Sequence, residues 1–131
     1  MVELTKGRID SERIIESLKK EEAGSIVVFF GEPRKGKEDG EVVSITYTAY
    51  EEMALSELKK IEKEALKKEG IIDVAIVHRL LDIPLKEFSL FVGVSSRHRK
   101  EGFETCEWII KKVKEVVPIW KEIKYERDRN S

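Results

Sequence analysis

The sequence predicts an α+β fold, a mostly antiparallel sheet combined with about three helices. Three observations carry this. Stretches with a helical repeat and stretches with a strand repeat follow one another irregularly, without the regular alternation of a doubly wound sheet. The strand-like runs are short and rich in β-branched residues, whereas the helix-like runs are long and amphipathic. At 131 residues, with no repeat, linker or low-complexity tract, the chain reads as one domain over residues 1–131.

The elements follow in order. Asp10 is placed to cap a helix over residues 11–22, with Ile9 and Ile14 as a hydrophobic staple and Gly24 at the stop. Residues 25–30 are apolar and β-branched, which predicts a buried strand. Residues 32–40 form a charged loop containing Pro33, Arg34 and Gly36. Val43, Ile45, Tyr47 and Ala49 alternate with Ser44, Thr46 and Thr48, the pattern of a half-exposed strand over residues 41–49. Residues 51–69 predict a helix with Met53, Ala54, Leu58, Ile61, Ala65 and Leu66 as its buried stripe. Strands are expected at residues 72–79 and 88–94, with a turn near residues 82–86. Residues 100–117 read as the last long helix, burying Phe103, Cys106, Ile109, Ile110, Val113 and Val117. Pro118 ends it, and residues 119–125 predict a short final strand.

Composition narrows the function. A chain that is 40% hydrophobic and 39% charged suits a globular protein with a heavily ionised surface. Lys and Arg total 25 against 26 Asp and Glu, so no global basicity points to nucleic acid, and any anion site is local. A single cysteine forms no internal disulfide and fits a reducing compartment. The apolar runs are too short to span a bilayer and the N-terminus lacks a signal-peptide layout, so a cytoplasmic protein without membrane contact is expected. Gln is absent and Asn130 is the only Asn, a balance seen in proteins from hot environments. One Cys and two well-separated His give no metal-ligand spacing, and no bound metal or cofactor is expected.

The candidate chemistry lies in four places. Ser95-Ser96-Arg97-His98-Arg99-Lys100 falls where a strand gives way to a helix. There, free backbone N–H groups and the positive end of the helix dipole favour an anion, and the arginines add full charges. The competing reading is a solvated charge patch. Lys114 lies at the edge of the apolar stripe of its helix, either as a snorkelling lysine or as a partly buried ammonium beside a pocket. Lys121 follows Trp120 in an extended segment, so the two point to opposite faces; if Trp120 anchors in the core, Lys121 is aimed away from it. Arg34 sits in a loop able to close over a charged ligand. Cys106 reads as a packed structural thiol, and His78 as a satisfied core or edge histidine.

In this order the segments resemble the large, catalytic subunit of molybdopterin synthase. The matching pieces are Phe29-Phe30-Gly31-Glu32-Pro33-Arg34, Thr46-Tyr47-Thr48-Ala49-Tyr50-Glu51-Glu52-Met53-Ala54 and Val77-His78-Arg79. They continue with Phe91-Val92-Gly93-Val94-Ser95-Ser96-Arg97-His98-Arg99, then Lys114, then Pro118-Ile119-Trp120-Lys121. Each piece alone is weak, and their order and spacing together are specific.

The resemblance implies an α/β-hammerhead fold and a sulfur transfer. The family converts cyclic pyranopterin monophosphate into the dithiolene molybdopterin. Sulfur arrives as a thiocarboxylate on the C-terminal Gly-Gly tail of a small ubiquitin-like partner, in a heterotetramer built on a homodimer of large subunits. Carried over residue by residue, the catalytic lysines fall on Lys114 and Lys121. The substrate contacts fall on Glu32, Pro33, Arg34, His98, Arg99, Lys114, Lys121, Glu122 and Ile123. A basic residue from the neighbouring large subunit falls on Lys67 or Lys68. The sequence departs from the family after Lys121, where relatives carry a further basic residue, an acid and a tryptophan-bearing segment. Two other classes fit part of the pattern: a module that binds a phosphorylated ligand without turnover, and a single-stranded nucleic-acid binder using Arg97 and Arg99.

Overall fold

The computed structural model describes residues 1–34 and 42–125. The later part of the charged loop, residues 35–40, and the segment after Tyr125 lie outside the described residues. The elements run β1 (Val2–Thr5), α1 (Ser11–Leu18), β2 (Ser25–Gly31), β3 (Val42–Ala49), α2 (Glu51–Leu66), β4 (Ile71–Arg79), β5 (Leu81–Pro84), β6 (Leu90–Ser96), α3 (Arg99–Val116) and β7 (Ile119–Tyr125).

They build two sheets. The larger has the order β1-β4-β6-β2, with β1 parallel to β4 and the other pairs antiparallel. The smaller has the order β5-β3-β7 and is antiparallel throughout. This is the α+β class with three helices, as the irregular mixture of patterns predicts.

Strands β4 and β6 are buried on both faces, which is why they read as continuous apolar runs. Val74, Ile76, Val92 and Val94 point to one face and pack with Ala54, Leu58 and Ile61 of α2 and Cys106, Ile109 and Val113 of α3. Ala75, Val77 and Phe91 point to the other and meet Ile14 and Leu18 of α1. The large sheet is thus a filling between α1 and the α2–α3 pair.

Several expectations need correction. Helix α1 stops at Leu18, not at residue 22, because Lys19-Lys20-Glu21-Glu22 offers nothing apolar to bury. Its cap is as expected, with Asp10 accepting from the Arg13 N–H at 3.3 Å. Gly24 does not end this helix; its N–H donates to the Ser96 carbonyl at 2.9 Å. Helix α2 ends at Leu66, and Met53 and Leu66 of its supposed stripe are exposed. Phe103 of α3 is also exposed, at 62%. The buried stripe there runs through Gly102, Thr105, Cys106, Ile109 and Val113, and the glycine lets the helix settle against Ser96. Where a turn near residues 82–86 is expected, strand β5 forms first and Lys86 turns the chain with φ 72°. A four-residue edge strand containing Pro84 carries too weak a pattern to be read. Strand β6 begins two residues later than expected, because Phe88 leaves the sheet to stack on Phe30 at 4.2 Å. Strand β1 was not foreseen; it is short, half-buried throughout and parallel to β4.

Candidate active site

The two sheets meet at a cavity of about 600 Å³. Its floor is the inner face of the small sheet. Register pairs Ile45 with Ile123, Tyr47 with Lys121 and Ala49 with Ile119 across β3 and β7. Ile45, Tyr47, Ile119, Lys121 and Ile123 all line the cavity. The alternate residues Thr46, Thr48, Trp120 and Glu122 therefore point away. Trp120 does not anchor in the core as the sequence reading allowed. It is 51% exposed and meets Tyr50 edge-on at 4.9 Å, yet the alternation still aims Lys121 inward.

The opposite wall comes from the large sheet and α3. The end of β2 brings Phe29 and Gly31, the chain beyond it Glu32 and Arg34, and the end of β4 brings His78. The last turns of α3 bring Val113, Lys114 and Val117. Gly31 fits this junction closely: a Cβ would stand 3.3 Å from Leu90 Cβ, and the Gly31 carbonyl accepts from the Ser89 N–H at 2.8 Å.

Arg34, Lys114 and Lys121 thus face one cavity with Glu32 as the only lining carboxylate among the described residues. None of the three cations has an ion-pair partner among the described residues. Lys114 is exposed, so it is not the partly buried ammonium of the sequence reading but a cation at a cavity wall. Pro33 is buried beside Arg34 and, like Glu122, does not line the cavity. Ile123 does.

His98 and Arg99 are elsewhere. They stand at the first turn of α3, and the fifteen steps to Lys114 span about 22 Å at 1.5 Å per residue. His98 lines a separate hollow with Arg97, Lys100, Glu101 and Glu69. The turn is rigidly held: Ser96 Oγ donates to the His98 carbonyl at 2.6 Å and the Arg97 N–H donates to the Gly70 carbonyl at 2.8 Å. His98 occupies the cap position without a side-chain cap bond, so the free N–H groups expected at the helix start are present. His98 Nδ1 lies 3.7 Å from Glu101 Oε2 and its side chain is exposed. Of the two neighbouring lysines, Lys67 is exposed and Lys68 places its ammonium 4.3 Å from the Trp108 ring centre.

Sequence reasoning missed Tyr47 and His78 as cavity residues. Tyr47 was readable as an inward member of its alternation, but which face met a cavity was not. His78 is 6% exposed, with Nδ1 2.8 Å from the Arg79 carbonyl and its ring edge-on to Tyr47 at 4.8 Å. Burial pushes its pKa below the ordinary 6.5, against the smaller opposing effect of the bond to Arg79. Cys106 is buried as expected, and burial pushes its thiol up to about 11. Among the described residues no group of His, Cys, Asp and Glu gathers to hold a metal ion, and no helix is long and apolar enough to cross a membrane.

Comparison with known proteins gives a consistent picture. The molybdopterin synthase catalytic subunit of Pyrococcus abyssi is 42% identical over 75% of this chain and 66% of its own length. That of Thermoplasma volcanium is 40% identical over 92% of this chain and 88% of its own. Among solved structures, molybdopterin synthase from Staphylococcus aureus superposes with a TM-score of 0.88 at 33% identity, covering 94% of this chain and 90% of that one. The family model for the MoaE protein matches residues 4–116. The chain belongs to the MoaE protein family, whose relatives here carry the name molybdopterin synthase catalytic subunit.

Proposed function

We propose that this chain is the sulfur-transferring subunit of a molybdopterin synthase. It binds cyclic pyranopterin monophosphate and takes sulfur from the thiocarboxylate at the Gly-Gly terminus of a small ubiquitin-like partner. The observation that carries the reading is the convergence of Arg34, Lys114 and Lys121 on one cavity with apolar and aromatic walls. Both reactants are anionic where they react or are held, and cations without an ion-pair partner among the described residues favour them in a concave site. Phe29 and Tyr47 supply flat surface for a pterin ring. The volume of about 600 Å³ falls within the range of small-molecule sites.

In this mechanism the thiocarboxylate sulfur bonds to a carbon of the pterin side chain as that carbon's bond to oxygen breaks, and the oxygen leaves on the phosphate or, protonated, as water. The Lys114 ammonium stabilises the charge that develops at the partner's acyl oxygen, and Lys121 orients the substrate and donates protons. Sulfur comes from the partner, so the buried Cys106 needs no part in the reaction. Two transfers complete the dithiolene.

His98 and Arg99 enter from a second copy. One chain separates them from Lys114 by about 22 Å, more than a pterin monophosphate spans. A homodimer lets the basic turn of one chain close the cavity of the other, with Lys67 or Lys68 close by, and a small subunit on each chain makes the heterotetramer. The composition supports work in the reducing cytoplasm of a heat-adapted organism.

The test is turnover by the purified chain with thiocarboxylated partner and substrate. The expected product carries two sulfurs per pterin. Tight binding of the phosphorylated pterin with no sulfur incorporated would instead favour a binding module without catalysis.

A further inference from the structure

Among the described residues, His78 is the one buried titratable group lining the cavity that the transfer described above does not use. A carbonyl oxygen only accepts, so the ring nitrogen 2.8 Å from the Arg79 carbonyl carries the proton. That fixes the tautomer: Nδ1 donates, and Nε2 is left with its lone pair. Nε2 has no hydrogen-bond partner among the described residues, and it is not among the sealed, unpartnered polar atoms. The Tyr47 ring packs edge-on and holds the imidazole plane. The residue thus has a locked ring, one satisfied nitrogen, and one basic nitrogen opening on the same cavity as Lys114 and Lys121.

The chemistry in that cavity has a step that calls for such a group. When sulfur is bonded both to the partner's acyl carbon and to the pterin, the two are joined as a thioester. Water must cleave it before a second partner molecule can act. In ammonium and guanidinium form, Lys114, Lys121 and Arg34 are donors only. We propose that His78 Nε2 is the general base that activates this water, a role that rests on the sulfur-transfer reading. The water oxygen bonds to the acyl carbon as its proton passes to Nε2. The carbon–sulfur bond then breaks and sulfur leaves on the pterin as thiolate. Nε2 returns the proton to the thiolate, and the partner's carboxylic acid gives its proton to solvent and departs as a carboxylate. No electron is gained or lost. Burial helps by keeping the imidazole neutral, and so able to accept, at neutral pH.

His78→Asn tests this in the assembled enzyme, because its amide can keep the donor to the Arg79 carbonyl while leaving nothing at the Nε2 position. In a single turnover read by mass spectrometry, the variant is expected to accumulate the partner–pterin adduct and to release partner about 100-fold more slowly than wild type. Release at the wild-type rate overturns the proposal. So does loss of turnover without the adduct, which would place His78 in the first step. If the variant does not fold, the wild-type profile of adduct cleavage decides. It should fall with acid below pH 6.5, where His78 takes a proton; a rate that does not fall anywhere in the acid range over which the protein stays folded contradicts it. Among the described residues, the charged and titratable groups that line the cavity with His78 are Glu32 and Arg34 beyond β2, Tyr47 on β3, Lys114 on α3 and Lys121 on β7. The Arg79–Glu87 pair, at 2.8 Å, stands beside it. A wild-type enzyme that incorporates no sulfur refutes the sulfur-transfer reading itself. A wild type that does, matched by His78→Asn, refutes only the role of His78.

Discussion

At the scale of single residues, the cavity separates cations that act on charge from groups that serve the fold. Lys114 and Lys121 are exposed, so their removal costs little stability and its effect falls on chemistry. Lys114→Ala and Lys121→Ala are each expected to lower turnover by about 100-fold or more, with melting temperatures close to wild type. Normal turnover in both variants would remove them from the mechanism. Cys106 is the opposite case. With its thiol pushed from 9.0 to about 11, the thiolate at neutral pH is about a hundredfold scarcer than for an ordinary cysteine. Thiol reagents should therefore modify the folded protein slowly, and Cys106→Ala should keep sulfur transfer. Faster labelling of the folded than of the denatured chain would contradict this. His78 links the cavity to stability. Its folded pKa lies below 6.5, so on acidification the unfolded chain takes up this proton first. The stability concerned is present above pH 6.5 and is lost as pH falls towards the folded value. The urea midpoint should drop over this range in wild type and drop less in His78→Asn.

At the scale of elements, the site depends on how strand ends and helix ends are tied. Gly24 shows this for the basic turn. A Cβ there would stand 2.6 Å from the Arg97 carbonyl oxygen, which is backbone and has little room to yield. Gly24→Ala is expected to cost about 1–3 kcal/mol, seen as a lower denaturant midpoint with an unchanged slope. No change in the midpoint would show that the contact relaxes freely. The elements most legible in the sequence were those with a strong repeat of their own. β4 and β6 read as apolar runs because both their faces are covered, and α3 and β7 were bounded by the break at Pro118. β1 and β5 escaped because four-residue edge strands bury too little to impose a pattern. Phe103 and Met53 were misplaced because an apolar residue at the flank of a stripe looks much like one at its centre. The same limit applies to the cavity. Lys121 was readable from its alternation with Trp120, whereas Tyr47 and His78 became cavity residues only through the meeting of two sheets that no local pattern describes.

At the scale of the whole molecule, the proposed active site is composite. Arg34, Lys114 and Lys121 gather at one end of α3, while His98 and Arg99 stand at the other, about 22 Å away. A monomer would leave the basic turn at His98 and Arg99 without a role in the cavity, so under the proposed function the active species is expected to be at least a dimer by light scattering. The most direct measurement is complementation between two inactive variants. One carries Lys114→Ala and Lys121→Ala, the other His98→Ala and Arg99→Ala. Each mixed dimer then holds one site with all four wild-type side chains, provided the turn acts on the partner's cavity. With random exchange, half the dimers are mixed and one of their two sites is intact. Sulfur transfer should recover to roughly a quarter of the wild-type rate. A mixture no more active than either variant alone would contradict a sulfur-transfer site shared between two copies of this chain.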